Sequence, residues 1–287
     1  MTDSGLEGAL ARLHTRALRI LITNDDGIHA PGFAALEKIA AALSSDVWAV
    51  APESEQSGAS HSLTLHMPLR LRRISPRKYA VLGTPTDCVM MAAKHIIPKY
   101  GAEEGDARPP DLVLSGVNRG SNVADDVTYS GTIAGAMEGV TLGLPSIALS
   151  QAYGFKREDV RWAACEHHAP PLIARLIEAS WPAGVLLNVN FPDAAPEEIG
   201  EVEVTIQGRR DSHAAMILAR EDGRRQPYYW IGFERKRSNP PKGTDLRAVY
   251  DGRISVTPLH LNLTHTDAMP DLAAAVAGFP ARGAREG

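Results

Sequence analysis

Two adjacent aspartates, Asp25 and Asp26, lie in the segment TNDDGIH at 23–29, directly after the apolar run LRILI at 18–22. Like charges so close repel, and a cation shared between them removes the conflict. Hard carboxylate oxygens at the end of a buried strand suit Mg²⁺ or Mn²⁺. For an isolated pair, a helix cap plus a loop carboxylate would be the better account. Gly27 helps the chain leave the hydrophobic layer sharply, ahead of Pro31-Gly32 and an amphipathic helix.

Three further loops carry groups of the same chemical kind. APESEQSG at 51–58 offers Ser54 and Ser57, and SGVNRGSN at 115–122 offers Asn118 and Asn122 beside two glycines. YSGTIAGAMEG at 129–139 sets Ser130, Gly131 and Thr132 just ahead of a helix. Backbone N–H groups and hydroxyls converging there could cradle a phosphate. A simple N-cap fits the same residues, and Gly131, Gly135 and Gly139 could equally serve close helix packing. Carboxylates, neutral oxygen ligands and an anion nest together favour hydrolysis of a phosphate ester, with a metal activating water and neutralising phosphoryl charge. Neither GxxxxGK[ST] nor GxGxxG occurs, which argues against a P-loop ATPase and a dinucleotide fingerprint.

The elements that must hold these loops follow from the spacing of apolar runs. Strands are expected at Leu18–Ile22, Val47–Ala51, Asp111–Leu114, Pro145–Leu149 and Val185–Val189. Between them, Phe33, Leu36, Ile39, Ala40 and Leu43 trace one helical face. Thr86–Ile97, Thr132–Gly143 and Asp159–Ala179 read as further helices. Alternating strands and helices predict an α/β fold, a mostly parallel sheet covered on both faces, with its site at the strand ends. After Pro192 the texture changes. Strands are expected at Glu201–Ile206 and Arg253–Pro258, flanking an arginine- and aromatic-rich stretch, 208–242, that contains PYYWIG at 227–232. Such a stripe reads as packing or an interface more readily than as a ligand platform.

The 287 residues suffice for one large domain or a core with an appendage, and a net charge of −4 argues against bulk nucleic-acid affinity. Cys88 and Cys165 form no CxxC and no zinc-like spacing, so both read as core thiols in a reducing compartment. No apolar run reaches eighteen residues and 1–17 lacks the apolar centre of a signal peptide, so a cytoplasmic location is expected.

With these motifs in order, the chain resembles the stationary-phase survival protein SurE family of metal-dependent 5'-nucleotidases. The resemblance rests on TNDDGIHAPG (23–32), APESEQSGASHSLTL (51–65), GTPTDCV (83–89), SGVNRGSN (115–122) and YSGTIAGAMEG (129–139). PSIALS (145–150), LNVNFP (187–192) and DLRAVYDGRISVTPLH (245–260) extend it over roughly 18–265. It implies that Asp25, Asp26, Ser57 and Asn118 hold one divalent cation per subunit, Mg²⁺ or Mn²⁺, with Co²⁺ serving in vitro. By chemistry alone Ser57 is not preferred to Ser54. It further implies that Asn118 faces the phosphate beside Ser130, Gly131 and Thr132, that Asn24 organises the loop or contacts substrate, and that water on the metal is the nucleophile. His61, within SGASHS, is a candidate for proton transfer or a phosphate contact, or a histidine satisfying a loop carbonyl.

The fold the resemblance implies is a Rossmann-like catalytic core over 18–192, preceded by an extension over 1–17. A C-terminal oligomerisation extension over 193–287 would carry an arm exchanged between subunits and partly return to the core. Homodimers, possibly homotetramers, are expected, with no stable nucleic-acid or membrane partner. The implied substrates are nucleoside 5'-monophosphates, with side activity on 3'-nucleotides and short polyphosphates. A broad non-nucleotide phosphatase and a non-catalytic metal- or nucleotide-binding protein are the competing readings.

Overall fold

All five residues of β1 (Arg19–Thr23) are buried, which requires cover on both faces of the strand. The computed structural model describes residues 17–154, 159–210, 215–233, 238–277 and 279. Apart from Ala17, the expected N-terminal extension lies outside them. The remaining strands are β2 (Asp46–Pro52), β3 (Arg70–Ser75), β4 (Lys78–Leu82), β5 (Leu112–Arg119), β6 (Ser146–Gln151) and β7 (Val185–Phe191). They are followed by β8 (Val202–Val204), β9 (Ala215–Glu221), β10 (Pro227–Phe233) and β11 (Ile254–His260). Nine strands form one sheet in the order β3-β4-β2-β1-β5-β6-β7-β11-β8. From β4 to β7 every pairing is parallel, while β3 and β11 run antiparallel to their inner neighbours. The expected α/β class, with a mostly parallel sheet and flanking helices, is what the chain adopts.

Strand alternation divides the core. Ile20 and Ile22 point to one face, where they meet Phe33, Leu36 and Ile39 of α1 (Pro31–Leu43) and Cys165 and Ile173 of α4 (Trp162–Ala179). Leu21 points to the other, with Trp48, Val50, Tyr79 and the Cys88–Val89 pair of α2 (Pro85–Met91). Beside α2, Ile133 and Ala136 of α3 (Gly131–Thr141) pack with Ala148 and Leu186. Both cysteines are therefore free core thiols, as expected, and burial pushes Cys165 up to about 12.

Several boundaries move for local reasons. α1 starts at Pro31, whose fixed φ favours the first helical position. The helix expected over Thr86–Ile97 starts at Pro85 under a capping box between Thr84 and Asp87, then continues as a π-type helix over Ala92–Gly101. The strand expected over Glu201–Ile206 narrows to Val202–Val204, and Ile206 pairs singly with Thr244. β3 carries too few apolar residues to show a period, and its arginines suit an exposed sheet edge, while β4 is a short continuous apolar run, Tyr79–Leu82, without alternation. β9 and β10 form a separate antiparallel ribbon in which PYYWIG is one strand. Two short helices, α5 (Asp245–Tyr250) and α6 (Met269–Val276), complete the described fold.

The amino ends of the central strands are joined by ion pairs. Asp46 accepts from Arg19 Nε at 2.9 Å, Arg108 Nη2 at 2.6 Å and Arg77 Nη1 at 3.0 Å, and the Arg19 side chain is 1% exposed. The Arg19 and Arg77 guanidiniums also lie 5.8 and 5.5 Å from the Trp48 ring centroid. Removing Asp46 would leave buried Arg19 short of charge compensation. Asp46→Ala is expected to lower unfolding stability by about 3 kcal/mol in urea titrations.

Candidate active site

β1 is flanked by β2 on one side and β5 on the other, so the order of strands reverses there. Chains leaving the carboxyl ends of β1 and β5 turn to opposite faces, and the crevice between them is the usual site in an open α/β sheet. Thr23 pairs with Ser115 at this point, so the segments beginning at Asn24 and Gly116 start side by side. Gly116 has φ +138°, and a Cβ there would lie 2.2 Å from the Leu149 carbonyl oxygen. Only glycine fits so close an approach in that conformation. The β5–β6 register shifts between Ser115 and Asn118, which re-aims Asn118 relative to the strand.

Asp25 is 4% exposed and held from three directions. Thr132 Oγ1 donates to its Oδ1 at 2.6 Å, and the Gln56 N–H donates to its carbonyl at 2.8 Å. Gly131 closes the third side, where an added Cβ would lie 2.7 Å from Asp25 Cβ. Burial, opposed by the Thr132 hydrogen bond and assisted by the Asp26 charge, raises the Asp25 pKa to about 6. Asp26 Oδ2 accepts the Arg119 N–H at 3.1 Å, and its pKa is also raised, mainly by burial.

The other expected residues fall into two groups. Asn118 donates its Nδ2 to the Gly120 carbonyl at 2.8 Å, which leaves Oδ1 as its ligand atom. Asn24 Nδ2 donates to the Gly27 carbonyl at 2.9 Å, so it organises the acidic loop, while its Oδ1 is buried with no hydrogen-bond partner. Ser130 caps α3 by accepting from the Ile133 N–H at 3.1 Å. With Thr132 Oγ1 engaged by Asp25, the first-turn N–H groups of Gly131 and Thr132 remain as anion donors. Ser57 is exposed, donates to Glu55 Oε1 at 2.8 Å, and follows the Gln56 that binds Asp25. His61 is not brought into this cluster. Its Nε2 lies 3.1 Å from Glu138 Oε2, two helical turns past Gly131.

Among the described residues, no three His, Cys, Asp or Glu side chains form a metal cluster. The oxygens able to share a cation are those of Asp25 and Asp26, supplemented by Asn118 and Ser57. Two carboxylates with raised pKa values, bound by neutral donors at a strand end, fit a hard divalent cation chemically.

A polar clamp behind the site went unread in the sequence. Asn122 N–H donates to Asn190 Oδ1 at 2.8 Å, Asn122 Nδ2 to Ser150 Oγ at 2.9 Å, and Asn188 Nδ2 to the Asn122 carbonyl at 2.8 Å. All four side chains are buried. Asp245 adds to it by accepting from the Ala124 and Gly208 N–H groups at 2.8 Å each. The signal was present in LNVNF, where two asparagines at strand period interrupt an apolar run.

Comparison with known proteins adds an independent line. The family described as "Survival protein SurE" matches residues 20–214. A Parvibaculum lavamentivorans protein named 5'-nucleotidase SurE is 59% identical over 257 residues, spanning 89% of this chain and 90% of its own. A Caulobacter vibrioides protein of the same name is 57% identical over 267 residues, spanning 92% and 98%. The crystal structure of a SurE protein from Aquifex aeolicus superposes with a TM-score of 0.75 at 39% identity, covering 90% of this chain and 99% of that one.

The raised Asp25 pKa has a consequence for the metal-free protein. Between the unfolded value of 3.8 and the folded value of about 6, the native state binds more protons, so stability falls as pH rises through that window. Asp25→Asn should remove this slope and raise stability at pH 7 by roughly 2–3 kcal/mol. Urea titrations of chelator-treated protein at pH 4.5 and 7 check both statements.

Proposed function

The chain belongs to the survival protein SurE family and is a 5'-nucleotidase, a phosphoric monoester hydrolase, and we propose that it works in the cytoplasm with one divalent cation per subunit, Mg²⁺ or Mn²⁺. The reaction converts nucleoside 5'-monophosphates to nucleoside and phosphate, with side activity on 3'-nucleotides and short polyphosphates. The observation that carries this reading is the meeting of Asp25 with the start of α3 at the sheet's switch point, beside Asp26 held on the end of β5.

In this reading Asp25, Asp26, Ser57 and Asn118 hold the cation, which when bound supplies charge neutralisation at the phosphoryl group and activation of water. The Gly131 and Thr132 N–H groups receive phosphate oxygens in a fixed array, so little reorganisation accompanies charge development in the transition state. Thr132 Oγ1 keeps Asp25 oriented, and Asn24 holds the loop's turn through Gly27. His61, whose Nε2 faces Glu138 outside this cluster, is given no proton-transfer role in this reading.

Assembly belongs to the same proposal. Ile217, Tyr229, Trp230 and Ile231 of the β9–β10 ribbon are 62–73% exposed, and apolar side chains so displayed on a narrow ribbon mark an interaction surface. We assign the ribbon to contact with another copy of the chain, giving a homodimer or a homotetramer. Among the described residues no helix is long and apolar enough to cross a membrane.

Phosphate release from 5'-AMP, 5'-GMP, 3'-AMP, tripolyphosphate and an aryl phosphate tests the reaction. Activity should vanish on chelation and return with Mg²⁺, Mn²⁺ or Co²⁺; release that survives complete chelation would exclude the metal-dependent route. Asp26→Asn should reduce turnover at least a hundredfold while leaving the oligomer intact in sedimentation, and wild-type turnover would remove Asp26 from the site. Ile231→Asp should shift the sedimenting species towards monomer, and an unchanged species would separate the ribbon from assembly.

A further inference from the structure

The anion nest and acidic loop recognise a phosphate, yet none of the groups placed there reads a nucleobase. Tyr129 immediately precedes Ser130 and is 64% exposed. Among the described residues before 193 it is the only exposed Phe, Trp or Tyr; the other exposed large hydrophobic side chains in that stretch are Leu63, Leu65, Met67 and Leu82.

Its backbone is fixed. The Tyr129 N–H donates to the Asp126 carbonyl at 3.1 Å. The preceding residue is tied twice, with Thr128 Oγ1 donating to the Asp125 carbonyl at 2.8 Å and the Thr128 carbonyl accepting from Ser60 Oγ at 2.9 Å. That last bond sets Tyr129 at the seam between the loop carrying Ser57 and the start of α3. The other tyrosines of the core are differently engaged. Tyr79 and Tyr100 stack on each other with ring centroids 5.3 Å apart, and Tyr153 lies under the Arg119 guanidinium at 5.5 Å. Tyr129 joins no such ring contact among the described residues.

We infer that Tyr129 is the base platform of this site: its ring stacks on the purine or pyrimidine of a nucleotide whose phosphate sits against Gly131 and Thr132. This deepens the nucleotidase reading and rests on it. An exposed ring on a pinned backbone, one residue ahead of the phosphate nest, is pre-ordered for a flat aromatic group, and every base has a π face. Stacking of this kind tolerates different bases, so Tyr129 selects nucleotides over other phosphomonoesters while discriminating weakly among bases.

The experiment compares wild type with Tyr129→Ala and Tyr129→Phe, using calorimetric affinity and KM for 5'-AMP and for ribose 5-phosphate, which lacks the base. Tyr129→Ala should weaken 5'-AMP about tenfold and leave ribose 5-phosphate within twofold, while Tyr129→Phe behaves as wild type. Equal losses for both ligands, no loss for 5'-AMP, or a loss in Tyr129→Phe as large as in Tyr129→Ala would overturn the assignment. If wild type binds 5'-AMP with this variant pattern but releases no phosphate, the hydrolase reading fails and the base platform stands.

Discussion

The site depends on one contact, the approach of the α3 amino end to the Asp25 carboxylate. Gly131 leaves no room for a Cβ against Asp25, and Thr132 donates its hydroxyl across the same gap. Burial alone would favour a protonated Asp25, and the short hydroxyl bond pulls the other way. The carboxylate is therefore held in place without a cationic neighbour to neutralise it, which leaves its charge available to a metal. The same contact sets the first-turn N–H groups of α3 beside Asp25, so the proposed cation and anion sites would share one wall.

That wall is stabilised from behind by neutral hydrogen bonds. Asn122, Asn188, Asn190 and Ser150 fasten the segment after β5 to the ends of β6 and β7. Asp245, from the C-terminal part of the chain, fastens the start of the next turn. Fully satisfied buried polar networks are rigid because every lost partner leaves a desolvated group. The C-terminal segment thus supports the loop leading to Tyr129 and Ser130, in addition to extending the sheet through β11 and β8.

Charge is sorted along the strands. At the amino ends, Asp46 is surrounded by Arg19, Arg77 and Arg108, an arrangement that compensates buried charge and serves the fold. At the carboxyl ends, Asp25 is held by hydrogen-bond donors, while Asp26 accepts the Arg119 N–H and lies near the Arg119 charge. Both ends bury carboxylates, and the difference in their partners separates a structural network from a reactive one.

Much of this was legible in the residues. The five apolar runs and the amphipathic spacing of 33–43 determined a mostly parallel sheet, with the acidic pair at the end of its first strand, because strand burial and helical periodicity are local properties of the chain. β3 and the β9–β10 ribbon were not legible, since an edge or arm strand need not bury a face and carries no clear period, and β4 is a short apolar run that periodicity alone does not assign to a strand. The sequence also offered Thr132 as a phosphate contact or helix cap and His61 as a candidate for proton transfer or a phosphate contact. Only the tertiary structure gave Thr132 to Asp25 and His61 to Glu138, and turned LNVNF from a strand into a clamp. Those assignments depend on distances between segments far apart in the chain, which the packing of α3 across the ends of β1 and β5 sets.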